Sequence, residues 1–440
     1  MVTMSKGPQN WEVIQHINNY AKITLEGQCI APPNYIELIA KVIDETTDES
    51  ITEWIKVSME NGAWAVELIV PAGGPYRIEV RWKKENTWFA RGYCELMLHH
   101  ICVGDVFVIA GQSNSIGTGH GEMTEEPELG IHAFRDCKYW DIATQPLYAS
   151  RANHGPFVSF AKRMKRSLNY PIGLIPCAVG GSSISKWIAE EDGELYREML
   201  SVIKDKDIKG VLWYQGESEA MECKAENYYS RFSSFVENIR RDTGNESLPI
   251  YTVQLHRHTD DFDNGLLMDM HYDLVREAQR KAARTIDKVY VIPSIDAGRL
   301  SDGLHNSKSA NMLIGERLAR LALQKEYNIG KGADAPNLEY IKKLGKREVE
   351  IKFSGVEDTL MAFHVNCAER FPILVEDERG VNNIDSFEMS RDTITIKLTR
   401  EIVGTAFVKC QYGRNPINYI QDFGKQMAVL CFSNVKVQEK

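Results

Sequence analysis

The feature that most constrains this chain is a change of rhythm partway along it. From Asp105 to about Tyr327, short apolar runs alternate with segments of helical period, whereas on both sides of that stretch only short strands and turns occur. The runs are DVFVIAG, PIGLIPCAVG, KGVLWYQG, LPIYTVQL and DKVYVIPS. Between and after them lie FVSFAKRMKRSL, AENYYSRFSSFVENIRR, MDMHYDLVREAQRKAAR and SANMLIGERLARLALQ, whose apolar residues fall on one helical face. Runs that are apolar throughout suit strands buried on both faces, and strands that alternate with helices pair in parallel through right-handed crossovers. The pattern predicts a three-layer α/β/α domain with a five-stranded parallel sheet over residues 104–328.

The flanks read differently. Residues 1–103 contain YAKITLEG, YIELIAKVI, WIKVSM, AWAVELIV and YRIEVRW, broken by APPN and PAGGPY, which predicts a β-sandwich-like domain. After the connector YNIGKGADAPN, residues 335–440 return to strands in REVEIKFSG, MAFHVN, FPILVED, TITIKLT, TAFVKCQYG and MAVLCFS, a second β-sandwich-like domain. A chain of 440 residues is too long for one core, so three units are reasonable.

Charge and cysteine usage narrow the partners. The net charge is -9 with both signs interspersed, which leaves no basic field for nucleic acid or an anionic membrane. The start, MVTMSKGPQNW, lacks the apolar core of a secretory signal and no run reaches a membrane span, so the expectation is a cytoplasmic protein. Nine scattered cysteines without a CxxC pair predict reduced, buried thiols, with Cys177 in the core, rather than disulfides or a zinc site. His256, Arg257 and His258, followed by Asp260, Asp261 and Asp263, lack a metal-ligand spacing and read as a solvated loop.

Chemistry concentrates at the carboxyl ends of the predicted strands, where open α/β sheets place their ligands. DVFVIAG ends at Gly111, and the turn that follows carries Ser113, either as a displayed nucleophile or as a helix cap shared with Asn114. Asp302 and His305, in SDGLHNSKSANMLIG, are the one Asp-x-x-His pair in the chain, and that spacing lets a carboxylate reach one imidazole nitrogen while the other faces outward. The alternative for His305 is a partly buried histidine ahead of the last helix. Gly180 and Gly181 end the second strand, as a backbone donor site or a structural bend, and Gln215 ends the third with an amide that can donate to an oxyanion. Trp187, Trp213 and Tyr214 could stack on a sugar or fill the core, and Glu217 could be a second acid or part of an ion pair.

Four blocks, Gly111-Gln112-Ser113-Asn114, GGSSISKW, WYQGE and DGLH, stand in the order found in SGNH-type esterases of the sialate O-acetylesterase family, which the chain resembles. GPQNWEVIQ, GGPYRIEV and NPINYIQDFGKQMAVLCF extend the resemblance to the flanks. The resemblance implies Ser113 as nucleophile, His305 as general base and Asp302 as its orienting acid, with the Ser113 and Gly181 N–H groups and Gln215 as oxyanion donors. Gln112, Asn114, Trp187 and Glu217 are then substrate-binding candidates. It implies an acetylated mono- or oligosaccharide substrate and needs neither metal nor organic cofactor. An acetyl xylan or other plant-oligosaccharide esterase, or a carbohydrate-binding protein with a decayed hydrolase core, are the alternatives. One departure is Ser115, where the family commonly has methionine, and it points to a difference in the substrate pocket.

Overall fold

The computed structural model describes residues 1–84, 94–148, 153–259, 265–365 and 367–439. At its centre the strands run in the order Ile131–Arg135, Ile172–Pro176, Cys94–Gly111, Gly210–Tyr214, Ile250–Val253 and Val289–Ile292, each parallel to its neighbours. Tyr139–Ile142 closes one edge as an antiparallel strand. From Cys94–Gly111 the chain crosses to Ile131–Arg135, returns through Ile172–Pro176 beside the starting strand, and then steps to its other side at Gly210–Tyr214. Strand order therefore reverses at Cys94–Gly111, where loops separate and open a crevice at the carboxyl ends.

The long helices pack in pairs against the sheet. Phe157–Leu168 packs against Lys308–Tyr327, and Tyr228–Asp242 against Gly265–Thr285. The apolar core between sheet and helices includes Phe107, Ile109, Phe160, Leu174, Trp213, Tyr251 and Leu318, all buried. No helix among the described residues is long and apolar enough to cross a membrane.

The five expected strands are present and adjacent, but the parallel set has a sixth member, Ile131–Arg135. His132 and Arg135 hide it in the sequence by interrupting the apolar pattern. In the fold, the fully buried His132 places Nδ1 2.7 Å from the Trp11 carbonyl oxygen, and Arg135 donates to the carbonyls of Ile142 and Thr144. These hydrogen bonds offset part of the cost of placing polar side chains in a buried strand.

The N-terminal region has two sheets around a core of Leu25, Leu38, Trp64, Leu68, Ile78 and Trp82. One sheet joins Val2–Lys6, Tyr20–Cys29, Ala63–Pro71 and Ser58–Glu60, and Ala63–Pro71 buries every second residue. The other pairs Tyr35–Asp44 with Gly73–Lys84 and Gly73–Lys84 with Cys94–Gly111. Cys94–Gly111 is one strand of 18 residues that runs from this sheet into the centre of the parallel one. The boundary expected between residues 103 and 104 thus falls inside a continuous strand.

The C-terminal region has its own core, with Ile341, Ile351, Phe353, Ile396, Val408 and Phe432 buried. It is locked to the α/β layers by buried side chains. Gln254 donates to the Cys431 carbonyl and accepts from the Cys431 N–H, at 3.0 and 2.8 Å. Asp296 takes two bonds from Arg317, at 2.8 and 2.6 Å, and one from the Ala428 N–H at 3.0 Å. Of the nine cysteines only Cys102, Cys410 and Cys431 are buried; Cys177 is partly exposed, because it lies just past the end of its strand.

Candidate active site

The turn at Ser113 is forced by its neighbours. Gly111 has φ +115°, and a Cβ there would lie 2.3 Å from the Tyr214 carbonyl oxygen, so no side chain fits. The Gln112 N–H then bonds that same oxygen at 3.0 Å, and the short helix Ser113–Ile116 begins. Gln112 occupies the cap position without a capping bond from its side chain, so Ser113 is not the cap and its hydroxyl is left to other partners. The Ser113 N–H, first in the helix, has no acceptor among the described residues.

The hairpin that carries Asp302 and His305 is tight. Arg299 bridges Asn306, and the Leu300 N–H bonds the His305 carbonyl at 2.8 Å. Asp302 Oδ1 accepts the N–H groups of Leu304 and His305, both at 3.0 Å, and Oδ2 lies 2.7 Å from His305 Nδ1. His305 Nε2 lies 3.0 Å from Ser113 Oγ. Burial acts to raise the Asp302 carboxyl, but the bonds from His305 and Leu304 outweigh it and hold it below the usual carboxylate range. A charged Asp302 fixes the proton on Nδ1 and turns the Nε2 lone pair towards the serine hydroxyl. Such an arrangement can remove a proton from an attacking hydroxyl.

Gly180 and Gly181 follow the strand Ile172–Pro176 and sit beside this turn: the Val179 N–H bonds the Gly111 carbonyl at 3.0 Å, and a Cβ on Gly180 would lie 3.7 Å from Ile116. Gly181 has φ +67°, nothing within 4 Å of where a Cβ would stand, and an N–H with no acceptor among the described residues.

Gln215 is different. It is fully buried, and its Nε2 spends both hydrogens, on the Ser182 carbonyl at 3.1 Å and on Glu219 Oε2 at 2.5 Å. It has no N–H left for an oxyanion, so the oxyanion role expected for it does not hold in this geometry. The expected substrate contacts are also redirected. Gln112 Oε1 accepts the N–H groups of Gly216 and Ser218, both at 3.3 Å, and Asn114 Nδ2 donates to Glu217 Oε1 at 2.7 Å; all three side chains are buried and tie loops together. Glu217 makes no ion pair among the described residues. Trp187 is fully buried, edge-on to Trp213 with centroids 5.6 Å apart, and donates to Ser182 Oγ, so both tryptophans belong to the core, as does Tyr214. Ser115 is buried beneath the turn, with Oγ 2.8 Å from the Ala110 carbonyl and accepting the Tyr214 N–H at 3.1 Å; it faces the strands, not a pocket.

Two residues escaped the sequence reading. Glu219 accepts the Ile184 N–H at 2.6 Å in addition to the Gln215 amide, and the Asn306 N–H donates to Asn114 Oδ1 at 3.2 Å. Each lies at or just past the end of a block already singled out, and that adjacency was the available signal. His256 is buried, which pushes it down to about 3, and Asp260, Asp261 and Asp263 lie outside the described residues. Among the described residues no cluster of His, Cys, Asp or Glu could hold a metal ion.

Residues 103–324 match the family model described as carbohydrate esterase, sialic acid-specific acetylesterase. A probable carbohydrate esterase of Arabidopsis thaliana is 30% identical over 251 residues, which cover 50% of this chain and 90% of the relative. The human sialate O-acetylesterase is 23% identical over 245 residues, 44% of this chain and 45% of that protein. The crystal structure of a carbohydrate acetylesterase from Xanthomonas citri superposes over 100% of both chains with a TM-score of 0.69 at 20% identity, a likeness of fold.

Proposed function

Since this chain belongs to the sialic acid-specific acetylesterase family of carbohydrate esterases and is a carboxylic ester hydrolase, we propose that it removes O-acetyl groups from acetylated sugars through an acyl-enzyme on Ser113. The observation that carries the proposal is the pair of contacts at His305, 3.0 Å from Ser113 Oγ on one nitrogen and 2.7 Å from Asp302 Oδ2 on the other.

In this mechanism His305 takes the Ser113 proton as Oγ attacks the acetyl carbonyl. The free N–H groups of Ser113 and Gly181 stabilise the oxyanion, and His305 returns the proton to the departing sugar oxygen. Water then repeats the cycle and releases acetate. Asp302 stays ionised throughout and balances the imidazolium. The regions 1–103 and 335–440 act as structural units that support the 104–328 unit, and Asp296 with Arg317 and Ala428 holds the base of the catalytic hairpin.

Acetate release from O-acetylated sialic acid, acetylated xylo-oligosaccharides and acetylated pectin fragments tests the reading. Turnover on at least one sugar ester, abolished in Ser113→Ala, is the expected outcome. A purified protein inactive on all of them and on 4-nitrophenyl acetate contradicts it.

A further inference from the structure

We infer that Glu217 is a positioning residue that holds Ser113 and His305 in register through Asn114 and supplies a second carboxylate to balance charge on His305. This rests on the acyl-transfer reading above. Glu217 is 2% exposed, and its Oε1 accepts from Asn114 Nδ2 at 2.7 Å while its Oε2 is buried without a hydrogen-bond partner among the described residues. Asn114 immediately follows the serine. Its Oδ1 accepts the N–H of Asn306, which immediately follows the histidine, at 3.2 Å. One amide therefore spans the two loops whose separation sets the 3.0 Å contact between Ser113 and His305. The carboxylate dictates which way that amide lies, because an acceptor on the Glu217 side turns the nitrogen there and leaves the oxygen for Asn306. Gln112 fixes the other end of the link by accepting the Gly216 and Ser218 N–H groups.

The charges around Glu217 come from several elements. Tyr214 lies on the strand Gly210–Tyr214, Tyr228 and Tyr272 on the helices Tyr228–Asp242 and Gly265–Thr285, Glu219 on its own helix and His305 on the hairpin. Burial pushes the Glu217 carboxyl up, while Asn114 and a charged His305 pull it down. Of these neighbours His305 alone carries a basic ring, and it also faces Asp302 and the Ser113 hydroxyl. An ionised Glu217 therefore attracts the imidazolium that forms when His305 takes the Ser113 proton.

Two variants test this. Glu217→Gln keeps an acceptor for Asn114 but removes the charge, so the acid limb of the kcat/KM profile on 4-nitrophenyl acetate moves to lower pH by about 0.5 to 1 unit. Glu217→Ala removes the acceptor, and kcat falls by about a hundredfold with KM little changed; Asn114→Ala gives a similar loss, and the double variant adds little to it. Glu222→Gln, in an exposed ion pair with Lys224, is the control and leaves both parameters unchanged. An acid limb that stays put in Glu217→Gln overturns the inference, even if Glu217→Ala fails to fold. Wild-type protein without turnover overturns the esterase reading itself.

Discussion

Asp302→Asn isolates what the carboxylate does for His305. In the structure Oδ1 holds the Leu304 and His305 N–H groups, and asparagine can keep those bonds with its own oxygen, so the hairpin survives. The amide nitrogen then faces His305 Nδ1, where Oδ2 now lies at 2.7 Å. A donor in that place demands a lone pair on Nδ1 and forces the ring proton to Nε2, opposite Ser113 Oγ. His305 can no longer accept the serine proton, and the imidazolium loses its counter-charge. In serine hydrolases with such a triad, the same change costs about ten thousandfold in kcat. Asp302 is 46% exposed here, so water replaces part of the lost charge, and a loss of about a thousandfold, or about 4 kcal/mol of barrier, is expected. Initial rates on 4-nitrophenyl acetate measure it, with circular dichroism to confirm the fold. A folded variant that loses less than about tenfold refutes the assignment of Asp302 as the orienting acid.

Gln215→Ala breaks buried bonds but removes no oxyanion donor, so the melting temperature drops while kcat falls by less than about tenfold; a loss of about a hundredfold or more would restore Gln215 to the oxyanion hole. Asp296→Ala leaves Arg317 buried and unpaired, both side chains being almost inaccessible, and should cost about 3 to 5 kcal/mol in urea unfolding, whereas a cost under about 1 kcal/mol would show the C-terminal lock to be unimportant. Burial raises the Asp273 carboxyl to about 6, so the folded state binds its proton more tightly than the unfolded one. That contribution is full below the ordinary aspartate range and is lost as pH rises through about 6, so Asp273→Asn should lose less stability than wild type between pH 4 and pH 7, compared by thermal melts. Equal losses in both proteins would contradict it.

The parts of this molecule legible from sequence are those in which one residue pattern has one physical meaning. Apolar runs such as Val106 to Ala110 need burial on both faces, and Gly111 ahead of Ser113 has few uses other than a tight turn. Asp302 and His305 lie three residues apart in a loop too short to separate them. The strand Ile131–Arg135 was missed because His132 and Arg135 look solvated until their carbonyl partners are known. The helix Glu194–Ile203 was not singled out either, although Leu195, Tyr196, Met199 and Ile203 form its buried face. Gln112, Asn114, Glu217 and Trp187 were misdirected for a different reason. A polar side chain at a strand end looks the same in sequence whether it reaches outward to a ligand or sideways to the next loop. Burial decides, and burial depends on loops that are distant in the chain. Ser115 belongs to the same class: its hydroxyl serves the Ala110 carbonyl and the Tyr214 N–H from below, so its departure from the family pattern says nothing of the substrate.

The central claim is that Ser113 is a nucleophile activated by His305. Labelling with a fluorophosphonate, followed by intact-mass and peptide mass spectrometry, tests it most directly. The account predicts one adduct per chain, located on Ser113, absent in Ser113→Ala and formed far more slowly in His305→Ala. Ester hydrolysis that persists with Ser113 unlabelled, or an adduct on another residue, would contradict it.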